Sequence, residues 1–106
     1  MRRGDIWWAE LPPPWRPRPV VLVSRGPAYG VLTWVVAAPL TTRVREMPSA
    51  VLVTPEADGV AQRCIVNVDN LSTVRVDWLR QFVTHLSAER MAEVDRAIHF
   101  ALGLKD

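Results

Sequence analysis

Cysteine and histidine are scarce in this sequence, and their scarcity excludes several kinds of site. The single cysteine, Cys64, has no partner for an internal disulfide and no spacing typical of a metal site, so we interpret it as a small core residue. The two histidines, His85 and His99, belong to no recognisable ligand or triad pattern and are interpreted as surface or interface residues. The sequence therefore predicts no metal and no cofactor.

Long apolar runs are also missing. No run approaches the length of a transmembrane helix, and the N-terminal stretch MRRGDIWW has neither the apolar region nor the cleavage site of a signal peptide. There is no internal repeat, low-complexity tract or linker, which predicts one domain over residues 1–106. We expect a cytoplasmic protein that does not contact a membrane.

Lysine is almost absent, because the thirteen basic residues are all arginine except Lys105. The net charge is only +2, but residues 1–45 carry seven arginines against two acids, whereas residues 46–106 carry six basic residues against nine acids. A basic half on a near-neutral protein indicates an anionic ligand on one face, with phosphate as the first candidate. Arginine is the better bidentate phosphate ligand, so nucleic acid is a candidate partner.

The sequence consists mostly of short strand-like segments. They are rich in apolar and β-branched residues and are separated by turn signals. The predicted strands are 5–11, 20–24, 31–40, 49–54, 64–70, 72–76 and 81–86, with turns at 25–30 and 55–59. Their regular spacing predicts a small all-β barrel rather than a βαβ sheet. Strand alternation assigns Trp8 and Trp34 to the core and leaves Trp7 undecided between core and interface.

The last segment has helical periodicity instead. Ser87 is a good N-cap, and apolar residues recur on one face as far as Gly103, a natural C-terminal stop. The pattern predicts an amphipathic helix over residues 88–102, packed across the barrel. Phe100 lies off the apolar stripe and is interpreted either as an aromatic covered by the C-terminal tail or as a contact for another chain.

The stretch WRPRPVVLVSR, residues 15–25, begins an apolar strand with two arginines that each precede a proline. Proline fixes its own φ and keeps the residue before it extended, so Arg16 and Arg18 lie on a rigid approach. This arrangement suits a charge held in place for a ligand, and it equally suits a basic start to a strand. Trp15 is the tryptophan that this loop would bring to a ligand.

Two polar residues, Asn67 and Asp69, project from the same face of their predicted strand. We interpret them as strand-end caps, with base recognition as the alternative function.

Five segments, taken in order along the chain, share a pattern with a known family. They are RGDIWWAEL at 3–11, RPVVLVSR at 18–25, VVAAPLTTRVR at 35–45, CIVNVDNLSTV at 64–74 and HLSAERMAEVDRAIHFALGL at 85–104. Together these segments resemble the MazF/PemK toxin endoribonucleases over almost the whole chain. The resemblance implies a mainly β fold, a small SH3-like (CcdB/PemK-like) barrel with a C-terminal helix. It also implies a homodimer and metal-independent cleavage of single-stranded RNA.

Matched residue by residue, the resemblance implies a catalytic pair of Arg18 and Thr41. The RNA-binding residues predicted around this pair are Trp15, Arg16, Ser24, Arg25, Thr42, Arg43 and Arg45. The 2′-OH would attack the adjacent phosphate, giving a 2′,3′-cyclic phosphate and a 5′-hydroxyl, while Arg18 stabilises the developing charge. Thr41 would hydrogen-bond a phosphate oxygen or the 2′-OH. The general base stays open, because no histidine or carboxylate is an obvious base and an arginine guanidinium, which stays protonated, is a poor one.

The loop PPPWRPRP, residues 12–19, departs from the family by being shorter and richer in proline, so the recognised RNA sequence does not transfer. Because Arg16 also precedes a proline, an exchange of roles with Arg18 stays open. Two other functions remain. One is a non-enzymatic toxin resembling the gyrase poison CcdB, although the chain ends ALGLKD without the C-terminal tryptophan motif of such proteins. The other is a barrel that binds nucleic acid without cutting it.

Protein partners are expected as well. Both faces of the first strand are apolar, with Trp7 and Ala9 opposite to Ile6 and Trp8, and the outward pair Trp7 and Ala9 predicts a two-fold interface with a second copy. The resemblance also implies a small antitoxin with an acidic, partly disordered tail. The arginine-bearing loops around 15–18 and 43–45 would receive that tail.

Overall fold

Seven antiparallel strands and one long helix make up most of residues 1–104, the part of the chain that this computed structural model describes. The strands are β1 (Asp5–Ala9), β2 (Arg18–Leu22), β3 (Trp34–Thr41), β4 (Ala50–Val53), β5 (Cys64–Asn67), β6 (Ser72–Arg75) and β7 (Leu79–His85). The helices are α1 (Pro55–Asp58) and α2 (Ala88–Ala101), with 3₁₀ turns at Gly26–Gly30, Val68–Asn70 and Val76–Trp78. The predicted mainly β class with a C-terminal helix is confirmed.

The sheet is organised around β3. Its hydrogen-bonded order is β4-β5-β3-β2-β1-β7, and β6 pairs with β3 off this path. Along its length β3 pairs first with β6, then with β2 and finally with β5. The end of β3 at Thr41 therefore lies where β2 begins and where β5 passes.

Two hydrophobic clusters cover the two faces of β2. Val21 belongs to the cluster that contains Val94 and Ala97 of α2, whereas Val20 and Leu22 belong to a second cluster. Successive side chains of a strand point to opposite faces, so a strand buried on both faces needs an unbroken apolar run. This double burial explains the run VVLV after the two arginines.

The C-terminal helix begins where the sequence predicts and ends one residue earlier than predicted. The Ser87 Oγ accepts a hydrogen bond from the backbone N–H of Arg90 at 3.1 Å, and Gly103 has the positive φ of +68° that favours glycine after a helix. Phe100 is 60% exposed, and the tail beyond Leu104 lies outside the described residues. No helix within residues 1–104 is long and apolar enough to cross a membrane.

The assignment of Trp8 and Trp34 to the core is wrong. Trp8 is 37% exposed and Trp34 is 46% exposed. Trp8 lies between two register shifts of the β1–β7 pairing, which interrupt regular alternation, and its indole N–H donates to Glu10 at 3.2 Å. Trp34 is the first residue of β3, opposite Arg75, where the strand extends past the buried part of the sheet.

The predicted outward position of Ala9 on β1 is also wrong. Ala9 is fully buried in the second cluster, and Trp7 packs against that same cluster. Trp7 also meets Phe82 edge-on, with ring centroids 5.9 Å apart. Ala9 therefore offers no surface to a second copy, whereas the half-buried Trp7 stays a predicted contact.

Candidate active site

The ends of β2 and β3 bring Arg18 and Thr41 together. The two strands pair with Val20 opposite Pro39, and the same register continued by two residues sets Arg18 opposite Thr41. Directly opposed residues in an antiparallel pair point to the same face of the sheet. Both side chains therefore project to one side, although twenty-three positions separate them in the sequence.

The two residues line a surface groove of about 370 Å³, here termed the arginine groove. Its walls are formed by Arg18, Pro39, Thr41, Arg43, Arg45, Met47, Ala50, Ile65, Asn67, Asp69 and Asn70. Three guanidinium groups face a single carboxylate, that of Asp69, so the groove carries net positive charge. An anionic ligand fits this balance.

The three arginines of the groove are not neutralised by the protein. Within residues 1–104, Arg18, Arg43 and Arg45 form no ion pair with a carboxylate, whereas Arg3 and Arg90 each do. The Arg18 Nε donates to the backbone carbonyl of Arg16 at 3.3 Å. That contact orients the guanidinium and leaves its terminal nitrogens available to a ligand. Arg16 is exposed but lines no part of the groove, which favours Arg18 for the central position.

Thr41 is oriented by the backbone that follows it. Its Oγ1 accepts a hydrogen bond from the backbone N–H of Arg43 at 3.2 Å. A hydroxyl that accepts one bond still has its own hydrogen to donate. Thr41 can therefore donate to an oxygen of a ligand bound beside Arg18.

A second groove adjoins the first, with a volume of about 580 Å³. It is here termed the tryptophan groove, because Trp15, Trp34 and Trp78 line it together with apolar residues of β2, β3 and β6. The two grooves share Arg18, Pro39, Asp69 and Asn70. Arg18 therefore stands at the boundary between a basic groove and an apolar one.

Besides Arg16, three residues predicted to bind RNA line neither groove: Ser24, Arg25 and Thr42. Ser24 has a structural role, since its Oγ accepts from the backbone N–H of Val36 and its carbonyl accepts from the Tyr29 hydroxyl, both at 2.8 Å. Arg25 and Thr42 are exposed. The structure thus brings together Trp15, Arg18, Thr41, Arg43 and Arg45, and it leaves these three residues and Arg16 outside the grooves.

Sequence reasoning undervalued the segment after β5. Asn67 lines the arginine groove, and Asp69 and Asn70 line both grooves. The Asp69 carboxylate accepts a hydrogen bond from the buried Ser49 hydroxyl at 2.5 Å, which fixes its position at the rim. Asp69 lies in the 3₁₀ turn and not in the predicted strand, yet it lines the arginine groove together with Asn67. The signal in the sequence was the polar pair Asn67 and Asp69 on one predicted face, which we interpreted as strand-end caps.

None of the described titratable groups whose pKa is clearly shifted lines either groove. Burial raises the pKa of Tyr29 to about 12, and burial together with the charge of Asp58 raises the pKa of the Cys64 thiol. Neither residue lines a groove, so neither is a candidate base for chemistry there. Within residues 1–104 no three His, Cys, Asp or Glu side chains are grouped so that they could hold a metal ion.

Comparison with known proteins gives a consistent set of relatives. The family described as PemK-like, MazF-like toxin of type II toxin-antitoxin system matches residues 2–102. The probable endoribonuclease MazF5 of Mycobacterium tuberculosis is 35% identical over 100 residues, which cover 94% of this chain and 91% of the relative.

Solved structures agree with that match. The Mycobacterium tuberculosis toxin MazF-mt6 superposes with a TM-score of 0.86 at 31% identity, covering 96% of this chain and 99% of the other. An endoribonuclease in complex with its cognate antitoxin, from a mycobacterial species, superposes with a TM-score of 0.87 at 26% identity, covering 100% of this chain and 98% of the other.

Proposed function

The chain belongs to the PemK-like, MazF-like family of type II toxins, and from this premise we propose that it is an endoribonuclease that cleaves single-stranded RNA. Cleavage occurs at short specific sequences and needs no metal ion. Residues 1–106 act as one toxin domain in the cytoplasm. The observation that supports this function best is the joint position of Arg18 and Thr41 in a groove with two further unpaired arginines.

The substrate supplies its own nucleophile. The 2′-oxygen forms a bond to the adjacent phosphorus and gives up its proton, while the bond from phosphorus to the 5′-oxygen breaks. The departing 5′-oxygen takes up a proton, so the products are a 2′,3′-cyclic phosphate and a 5′-hydroxyl. The protein must hold the phosphate in line with the attacking oxygen and stabilise the added negative charge.

Arg18 stabilises that charge. Its guanidinium presents parallel donors to two phosphate oxygens, and its position before Pro19 at the start of β2 limits the entropy lost on binding. Thr41 donates its hydroxyl hydrogen to a phosphate oxygen from the neighbouring strand. Arg43 and Arg45 hold the flanking phosphates.

Two protein partners accompany the function. A solved relative is described in complex with its cognate antitoxin, and we extend that partnership to this chain, with the acidic tail of an antitoxin on the unpaired arginines. The second partner is another copy of the chain in a homodimer, as the family resemblance implies.

Substitution of the central pair tests the proposal. We expect Arg18→Ala and Thr41→Ala each to lower cleavage about 100-fold or more, because each removes a donor to the charged transition state. Arg18→Lys should recover only part of the rate, since lysine offers no bidentate fork. The measurement is the rate of cutting of a long unstructured RNA, with cut ends mapped and their chemistry determined.

The matched control is Arg80→Ala, which removes an exposed arginine of β7 that lines neither groove. Its rate should equal that of the wild type, as should the wild-type rate in EDTA. Wild-type rates for Arg18→Ala would refute the site, and loss of activity in EDTA would refute the metal-free mechanism. RNA that is bound but never cut would support the non-cleaving barrel instead.

A further inference from the structure

The five tryptophans of the chain fall into two groups by the partners of their indole N–H groups. Outside the tryptophan groove, Trp7 donates to Asp5 at 3.3 Å and Trp8 donates to Glu10 at 3.2 Å. Inside the groove, Trp15, Trp34 and Trp78 have no hydrogen-bond partner for the indole N–H within residues 1–104. The groove therefore contains three donors that the protein itself does not use.

Two of the three rings form a rigid corner. The centroids of Trp34 and Trp78 are 5.3 Å apart, and the ring planes cross at 83°. The guanidinium of Arg75 lies 5.7 Å from the centroid of Trp34, and two hydrogen bonds of 3.0 Å to Asp77 fix that guanidinium. The corner is preformed, and nearly half of the Trp34 surface remains exposed.

The charge of the groove differs from that of its neighbour. Among its lining residues the only charged side chains are Arg18 and Asp69, both shared with the arginine groove. Its volume of about 580 Å³ lies within the range of about 300–1,000 Å³ typical of small-ligand sites. A flat, neutral ligand with hydrogen-bond acceptors fits these walls, whereas an acidic peptide gains little electrostatic attraction there.

A nucleotide contains one chemical group that suits each of the two grooves. Its phosphate is anionic and matches Arg18, and its base is a neutral, flat ring with acceptor atoms on its edge. We infer that the tryptophan groove binds one unstacked nucleobase of the RNA strand whose phosphate contacts Arg18. The base packs into the corner of Trp34 and Trp78 beneath Trp15, and this inference rests on the proposed RNA-cleaving function. The groove selects the nucleotide beside the cut.

Cleavage measurements give the first test. Trp34→Ala should lower kcat/KM about 5- to 150-fold, the effect of losing one base–aromatic stack, and should broaden the bases accepted at one position beside the cut. Trp34→Phe should retain part of the rate, because it keeps a stacking surface. The matched control is Trp8→Ala, an exposed tryptophan outside the groove, which should cut at the wild-type rate and sequence.

Binding to an RNA that cannot be cut separates this inference from the proposed function. The probe is an unstructured 2′-O-methyl oligoribonucleotide, with the mapped cut sequence or, if the protein cuts nothing, with mixed sequence. Removing the base at one position should weaken wild-type binding about 5- to 150-fold and should have little further effect on Trp34→Ala. That coupling supports the base site even if no cleavage is found.

Two results would overturn the inference while leaving the proposed function intact. One is cleavage by Trp34→Ala with wild-type rate and base preference, together with no coupling to any abasic position. The other is a folded Trp34→Ala that binds RNA normally but loses its antitoxin or becomes monomeric, since the groove would then hold a protein segment. Thermal unfolding of each variant verifies that it is folded.

Discussion

At the scale of single residues, Asp5 shows how a buried carboxylate is stabilised in this chain. It accepts hydrogen bonds from the backbone N–H of Arg2 at 3.0 Å, the Trp7 indole at 3.3 Å and the His85 ring at 2.8 Å. Burial raises its pKa, but the hydrogen bonds of His85, Trp7 and Arg2 outweigh burial and leave the pKa below the usual 3.8.

A pKa lowered by folding makes stability depend on pH in a definite direction. The contribution of Asp5 is complete above the unfolded pKa of about 3.8 and is lost as pH falls through the lower folded value. We expect Asp5→Asn to reduce the free energy of unfolding by about 1–3 kcal/mol at neutral pH, with the difference shrinking below about pH 3.8. Urea unfolding of both proteins across this range measures it.

The control for this prediction is Glu10→Gln, on the residue that follows β1. Glu10 also accepts an indole N–H, that of Trp8, but it is exposed. Its substitution should change the free energy of unfolding by no more than about 0.5 kcal/mol. A pH-independent difference between Asp5→Asn and the wild type would contradict the role assigned to the Asp5 charge.

The family resemblance led to Arg18 and Thr41, and the structure brings both into the arginine groove, while their catalytic roles stay a prediction. Sequence reasoning misplaced Trp34, because alternation says which face a residue points to but not where along a strand the covered region ends. It also ranked Asp69 low, because the 3₁₀ turn that carries it to the groove rim has no strong signature in sequence. The errors at single residues arose where an irregular backbone or the packing of other elements determines whether a side chain is buried.

At the scale of elements, one buried ion pair fastens α2 to α1. The Asp58 side chain is 3% exposed and accepts hydrogen bonds from the Arg90 Nε at 2.8 Å and from the backbone N–H of Thr54 at 2.9 Å. We expect Arg90→Ala to lower the free energy of unfolding by about 3 kcal/mol, because it leaves a buried carboxylate without its cation. Thermal or urea unfolding measures the loss.

An exposed ion pair on the same helix gives the comparison. Asp95 pairs with Arg3, and both side chains are at least one-third exposed. Asp95→Asn should therefore cost at most about 1 kcal/mol. Equal losses for the two substitutions would show that the pair of Arg90 and Asp58 contributes no more than a surface contact.

Most elements themselves were predictable. Seven strand segments and the helix follow from apolar runs, turn residues and an N-cap, and the structure places all of them within a few residues. The pairing of β3 with three different strands was not predictable from the pattern, because sequence periodicity gives the faces of strands and not their neighbours. The grooves depend on that pairing, so their walls could be only partly foreseen.

At the scale of the whole molecule, the first property to test is the association of two copies of the chain. We expect a mass of twice 12.0 kDa in solution at micromolar concentration, as the family resemblance implies a homodimer. Large exposed apolar side chains, among them Phe82 at 50% and Phe100 at 60%, offer surfaces for such contact. Sedimentation or light scattering measures the mass, and a monomer at that concentration would contradict the prediction.

Phe100→Asp separates the two interpretations of Phe100. A monomeric but folded variant would identify Phe100 as a contact for another chain. An unchanged dimer would favour an aromatic that is covered by the C-terminal tail.

Neutralisation by an antitoxin is the second whole-molecule property. We expect a small acidic protein to bind this chain tightly. Arg16→Glu and Arg43→Glu should each weaken the complex by about tenfold or more, because the introduced glutamate repels the acidic partner that the arginine attracted. Titration calorimetry with the purified partner measures the affinity. Arg80→Glu, outside both grooves, is the control for charge alone.

If Arg16→Glu and Arg43→Glu both bind the antitoxin with unchanged affinity, these arginines contact only RNA and the antitoxin docks elsewhere. Weakening by Arg43→Glu together with competition between antitoxin and RNA would show that inhibition uses the arginine groove itself.

The position of β3 has a consequence for synthesis of the protein on the ribosome. Walls of the arginine groove come from β2, β3, β5 and the turn that ends at Asn70, so no groove exists in a nascent chain that lacks β5. Because β3 pairs with segments on both sides of it in sequence, its neighbours assemble only after more than half the chain has left the exit tunnel. A translating ribosome therefore carries a chain without the arginine groove, and hence without RNA-cleaving activity, until β5 and the turn after it have emerged.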